Sequence, residues 1–282
     1  MRKIIVAKPQ NSSLVAQLVS LYSTLKGSKS RDVLEFDFSK IDWLFPLLVL
    51  PLGAYINTTK SAYRAEGDVR SYLNAIKFPD GINSVSAFQK EMQLKKNYMP
   101  ISVLLKDKEP DREQLESLFS GMILKVLDSV LGTSNAVYYP IAELVTNIFE
   151  HSKQKSGFIF GQFYPKKNYL DICIADRGRG FAATYKQELG LDVSDSEAIV
   201  KVMKGKSTKP SKERGYGVRT SKRVVCEAMN GEFVILSGSS ALVSAKKSER
   251  LVSLPGFHWQ GVIVAYRIPK PEKAIDISRY LE

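Results

Sequence analysis

The sequence predicts an α/β protein built as two layered units, and three observations carry that prediction. Strand-like and helix-like segments alternate along the chain, with apolar spacing that switches between the periods of a strand and a helix. A polar stretch, Ala87 to Lys96, divides the chain into residues 1–96 and 97–282. Finally, 282 residues with 44% hydrophobic content suffice to fill two ordinary cores.

The elements follow in order. Lys3 to Ala7 reads as a strand, Ser13 to Leu25 as a helix and Val33 to Phe38 as a strand. An apolar helix, Phe45 to Ile56, and a short amphipathic one, Asp68 to Ile76, complete a small α/β layer. The second unit opens with a strand from Met99 to Leu105 and the turn-forming Lys106-Asp-Lys-Glu-Pro-Asp111. A helix from Arg112 to Leu131 stops at Gly132, and another runs from Ala136 to His151. Strands at Gly157 to Phe163 and Tyr169 to Ala175 follow. Phe181 to Arg214 reads as a long polar loop whose strong helix signal is Asp195 to Met203. Helix Val218 to Met229 stops at Asn230-Gly231, and strands at Glu232 to Leu236 and Gly261 to Ile268 close the sheet.

Composition narrows the functional classes. Cys173 and Cys226 lie in apolar settings without paired spacing, which predicts buried free thiols in a reducing cytoplasm. Met1 to Lys8 is too short an apolar stretch for a signal peptide. The longest apolar run, Trp43 to Ile56, holds two prolines and falls short of the roughly 20 residues that span a bilayer. A soluble cytoplasmic protein without a membrane partner is expected. The net charge of +12 raises the question of nucleic acid. Residues 1–97 carry 14 Lys/Arg against 8 Asp/Glu and residues 98–282 carry 27 against 21, so each part is +6 and no basic tail exists. The excess is local, with nine basic residues and one acid between Lys201 and Arg223. With no base-reading motif present, the charge argues for phosphate attraction rather than a nucleic-acid partner.

Three motifs carry chemistry. In Glu143-Leu-Val-Thr-Asn147-Ile-Phe-Glu-His151, a carboxylate and an amide four residues apart share one helix face. Asp176-Arg-Gly178-Arg-Gly180 places an acid at the end of the apolar strand Tyr169 to Ala175. Arg214-Gly215-Tyr216-Gly217-Val218 opens a basic helix, where free N–H groups and the helix dipole favour anions. Read singly, each motif also fits a polar helix face, an ordinary turn or a solvated charge run. Together they supply a base or metal ligand, a polar anchor for a purine and bare amides for phosphate.

In order and spacing, the three motifs resemble the ATP-binding domain of the GHKL superfamily (gyrase, heat-shock chaperone, histidine kinase and mismatch-repair ATPases) over roughly Tyr98 to Pro269. The surroundings of Asn147 and the run from Ser196 to Thr220 look closest to its anti-sigma-factor serine kinase branch. The resemblance implies an α/β sandwich whose mixed sheet carries helices on one face. It implies ATP and Mg2+ as ligands, with Asn147 holding magnesium and Glu143 activating the attacking water or hydroxyl. Asp176 would accept the adenine amine, with Gly178 and Gly180 letting backbone approach the purine. Gly215, Tyr216, Gly217 and Val218 would meet the phosphates, and Thr208 and Lys209, after Ser207, the γ-phosphate, in a lid that orders when nucleotide binds. The family often carries Gly-Thr in its last strand; here it is Gly261-Val262, so that contact must come from elsewhere.

Residues Leu34 to Leu50 and Tyr72 to Phe78 look like the STAS fold of anti-sigma antagonists, although the turn Asp42 to Pro46 lacks the regulatory serine. This first unit is read as a protein-interaction module, for a STAS-type regulator or for self-association. His151 at a helix end and His258 in a loop do not match a self-phosphorylating histidine kinase. The expected function is ATP-dependent serine or threonine phosphorylation, or slow hydrolysis coupled to partner binding. An ATP-gated switch without turnover and a nucleic-acid-associated ATPase are the alternatives.

Overall fold

The computed structural model describes residues 1–92, 96–127, 130–206 and 217–281 of an α/β chain with two sheets. The first sheet is parallel, in the order β1 (Arg2–Ile5), β2 (Leu34–Asp37), β3 (Ala62–Arg64). The crossovers carry α1 (Leu14–Leu25) and α2 (Pro46–Thr59), and α3 (Gly67–Ala75) and α4 (Val85–Met92) follow. Ser13 caps α1, its hydroxyl accepting from the Ala16 amide at 3.1 Å. Every residue from Pro46 to Ile56 is buried, as suits a helix that is apolar all round. That apolar run is therefore a core element. Among the described residues no helix is long and apolar enough to cross a membrane.

The second sheet has seven strands in the order β4 (Tyr98–Leu105), β5 (Ser156–Tyr164), β6 (Tyr169–Ala175), β10 (Trp259–Pro269), β7 (Glu232–Gly238), β8 (Ser240–Ala245), β9 (Ser248–Ser253). Each adjacent pair is antiparallel, which corrects the expected mixed sheet. The reason is topological. Tight hairpins join β5 to β6 and β7 to β8 to β9, and such turns only connect antiparallel strands. The last strand then inserts between β6 and β7 and opposes both.

Strand alternation gives the sheet two buried faces. Phe158, Phe160, Cys173, Ala175, Leu236 and Ala265 join the apolar residues of α1 and α2 in one continuous cluster. Ile159, Ile172, Ile174, Ile235, Val264 and Tyr266 meet helices α5 (Glu109–Leu127), α6 (Thr133–His151) and α9 (Gly217–Arg223), the last continuing in a wider turn over Val224–Ala228. Both free cysteines are buried, Cys226 with its thiol pushed up to about 12 by burial. The stretch expected as a loop from Phe181 begins instead with α7 (Gly180–Leu189), followed by α8 (Asp195–Met203) as predicted. Strands β3, β8 and β9 and helix α4 are additions to the predicted set.

Candidate functional site

A cavity of about 230 Å³ opens on the far face of the large sheet, between the C-terminal half of α6, the end of β6, α7 and the start of α9. Ile174, Ile235, Val262 and Val264 supply an apolar floor, and Phe181 and Tyr185 of α7 a wall. The sequence-predicted Glu143, Asn147, Asp176, Gly180, Gly217 and Val218 all line it. They come from three segments far apart in the chain. Thr208, Lys209, Gly215 and Tyr216, with the basic end of the expected lid, lie outside the described residues, whereas its helix Asp195–Met203 is described.

Helix α6 presents Glu143, Asn147 and Glu150 along one side of the cavity, at i, i+4 and i+7. The Asn147 side-chain amide donates to the Glu143 carbonyl at 2.7 Å, which commits Nδ2 and fixes the rotamer. Gly217 opens α9 against this face. A Cβ there would stand 2.2 Å from Glu143 Oε2 and 3.5 Å from Asn147 Nδ2, so the helix N-terminus, the carboxylate and the amide are in contact distance.

Asp176 follows β6 and is 2% exposed. Its Oδ1 accepts the Gly178 amide at 2.7 Å and its Oδ2 the Val262 amide at 3.3 Å. The second bond continues the antiparallel β6–β10 register, which sets Val262 opposite Asp176, and the Val262 carbonyl in turn accepts the Asp176 amide at 2.9 Å. Trp259 Nε1 donates to the Asp176 carbonyl at 3.0 Å. Burial raises the Asp176 carboxyl to about 7, against the two backbone N–H groups and the nearby Arg177 charge, which lower it. The carboxyl is therefore poised between its two states near neutral pH.

Gly178 and Gly180 are explained by the chain's own packing. At Gly178 a Cβ would lie 2.4 Å from the Ser152 Cβ, and at Gly180, where φ is +74°, 2.8 Å from Ser237 Oγ. The chain's own packing thus requires a glycine at both positions, whatever ligand the cavity takes. Three residues that the motifs did not single out as site residues hold the anchor. Ser237 accepts from the Phe181 amide at 3.0 Å and donates to the Gly261 carbonyl at 3.1 Å, tying α7 to β7 and β10. Gly261 leaves room for Asp176, whose carbonyl oxygen would be 2.3 Å from a Cβ. Trp259 completes the set. The Gly261-Val262 pair was visible as a departure in the last strand, but nothing local in the sequence marks Ser237.

Among the described residues no group of three or more His, Cys, Asp or Glu side chains is placed to hold a metal ion by itself. No protein-family model matches the chain, and neither does any characterised protein or solved structure.

Proposed function

We propose that the chain is an ATP-binding regulatory protein of the cytoplasm. It takes Mg-ATP in this cavity and uses it to phosphorylate a serine or threonine of a protein partner, or hydrolyses it slowly in step with partner binding. The single observation that carries the reading is the convergence of Glu143, Asn147, Asp176 and Gly217 on one apolar cavity. A planar base fits a slot with one buried acceptor, Asp176, which prefers the amine of adenine to the carbonyl of guanine. The N-terminus of α9 favours the phosphates. Asn147 has its oxygen left for magnesium, an ion that needs only one or two protein ligands beside phosphate and water. The bound ion would neutralise charge on the phosphoryl group. Glu143 is the base for the attacking water or hydroxyl, a role typically worth about 10²–10⁴-fold in rate. We read the seven-stranded half as a GHKL-type ATPase fold and the N-terminal layer as STAS-like, serving a protein partner or self-association.

Thermal-shift titration tests this directly. ATP with magnesium should stabilise the fold and GTP should not. Glu143→Ala should keep binding and lose turnover, whereas Asn147→Ala should lose the magnesium-dependent part of binding. Equal stabilisation by GTP, or full turnover in both variants, would overturn the assignment.

A further inference from the structure

Directly after the cavity anchor stands a buried cation that the proposed chemistry does not use. Arg177 is 7% exposed. Its guanidinium lies between two aromatic rings, 4.5 Å from the centroid of Tyr55 and 4.7 Å from that of Trp259. Nη2 donates to the Ser30 carbonyl, and buried Nη1 has no hydrogen-bond partner among the described residues. No carboxylate among them forms an ion pair with it. A guanidinium placed like this has a compensating charge only if one lies within reach of its field, and the neighbouring residue in the chain, Asp176, is a carboxylic acid whose charge acts on it.

The pairing works in both directions. With Asp176 ionised the two buried charges cancel; with Asp176 protonated Arg177 is left as a lone buried cation. Burial raises the Asp176 carboxyl and lowers the Arg177 guanidinium to about 10. After the Gly178 and Val262 amides the Arg177 charge favours the carboxylate, and after Tyr55 the Asp176 charge favours the guanidinium. The ionised form matters to the cavity, since a carboxylate only accepts, while a protonated carboxyl meets an incoming amine with a competing O–H. Trp259 links the two residues, its ring against Arg177 and its Nε1–H on the Asp176 carbonyl. The rest of the clamp belongs to the N-terminal layer: Tyr55 from α2, and Ser30 from the loop between α1 and β2.

We propose that Arg177 is the positioning residue that keeps Asp176 in its amine-accepting form, and that the N-terminal layer, by clamping Arg177, sets the ligand affinity of the cavity. The class of ligand is one that offers an N–H donor from a planar base, so the proposal rests on the adenine-nucleotide reading above. The charged and titratable groups around the pair are few. Asp32 and Arg2 act on Tyr55 from the N-terminal side. Glu143, Glu150 and Lys206 line the cavity, and Arg179 follows on the turn into α7, held by Glu188 and Gln187.

Two readouts on the full chain test the proposal. Carboxyl carbon NMR, with the Asp176 signal assigned by its loss in Asp176→Asn, follows ionisation without any ligand. Mg-ATP affinity measured from pH 6 to 9 follows the consequence. In the wild type, affinity should fall about tenfold per pH unit below the Asp176 midpoint. Arg177→Met should move that midpoint up by about one unit, lowering affinity roughly tenfold at pH 7 and restoring it toward pH 9. Arg177→Lys, which keeps the charge, should leave the midpoint near the wild-type value. Tyr55→Leu should raise it by a smaller step, and it carries the comparison if Arg177→Met does not fold. An unchanged Asp176 midpoint in folded Arg177→Met, or in Tyr55→Leu where that variant stands in, overturns the proposal even if ATP binds. A raised midpoint in a chain that ignores ATP upholds the Arg177–Asp176 link and rejects the nucleotide reading instead.

Discussion

Two aspartates five positions apart, Asp171 within β6 and Asp176 just past its end, lie on opposite faces of the same sheet and are used in opposite ways. Asp171 is fully buried on the face covered by α1 and α2. Arg267 holds it with two bonds of 2.7 Å, and Gln17 of α1 adds a third at 3.1 Å. Burial raises the Asp171 carboxyl, and the Arg267 contact opposes that rise. Asp176, nearly as buried, receives among the described residues two backbone amides and the field of an arginine that does not bond to it. The difference is informative because the strand and the burial are shared. A carboxylate with a bidentate cation is finished as a structural group, whereas one left with acceptor capacity beside a cavity is available to a ligand.

The largest expected effect breaks the finished pair. Arg267→Met should cost about 3–5 kcal/mol in denaturant unfolding, because it leaves Asp171 buried without its cation. The double variant Arg267→Met, Asp171→Leu should recover most of that loss, since the unpaired charge is gone. Additive losses would mean that packing around Tyr169, whose ring lies 3.7 Å from the Arg267 guanidinium, dominates instead.

Asp176→Asn probes the other half of the comparison. The amide keeps one acceptor and turns a donor toward a backbone N–H, a local mismatch worth about 1–3 kcal/mol. Stability should therefore fall less than in Arg267→Met, while stabilisation by Mg-ATP should disappear. If the two variants lose equal stability, Asp176 is as structural as Asp171 and the contrast fails.

How far the sequence foretold this site follows from where the information resides. Strand β6 and helix α8 match their predicted bounds, and α6 starts three residues earlier than predicted, because apolar period and caps are local signals. Helix α7 escaped notice because it begins at a left-handed glycine directly behind a glycine-rich turn. Strands β8 and β9 are six residues each and open on a serine, and β9 is mostly exposed, so neither shows a clear apolar alternation. The antiparallel order was beyond local reading, since it depends on the insertion of β10. Glu143, Asn147, Asp176 and Gly217, which line the cavity, were legible as motifs. Their supports were not: Trp259 and Val262 reach Asp176 across 83 and 86 positions, contacts that exist only once β10 lies beside β6.

A third buried carboxylate gives the finest test of the comparison. Glu116 of α5 is 7% exposed and has one cationic neighbour, Arg112, whose Nε is 3.5 Å away. It is intermediate between the bidentate Asp171 and the unbonded Asp176. Burial pushes it up to about 7 although Arg112 pulls the other way. Below about pH 4.5 the group is protonated whether the chain is folded or not, and its contribution to stability is fully present. Between pH 4.5 and 7 the unfolded chain releases the proton while the folded chain retains it, so stability declines as pH rises. Above about 7 both states are ionised and the loss is complete. Glu116→Gln, neutral throughout, should thus match the wild type near pH 4 and exceed it by about 3 kcal/mol at pH 8. Unfolding curves at the two pH values decide the matter: a variant that is less stable at pH 8 would show that the Arg112 guanidinium at 3.5 Å already suffices to make a buried carboxylate structural.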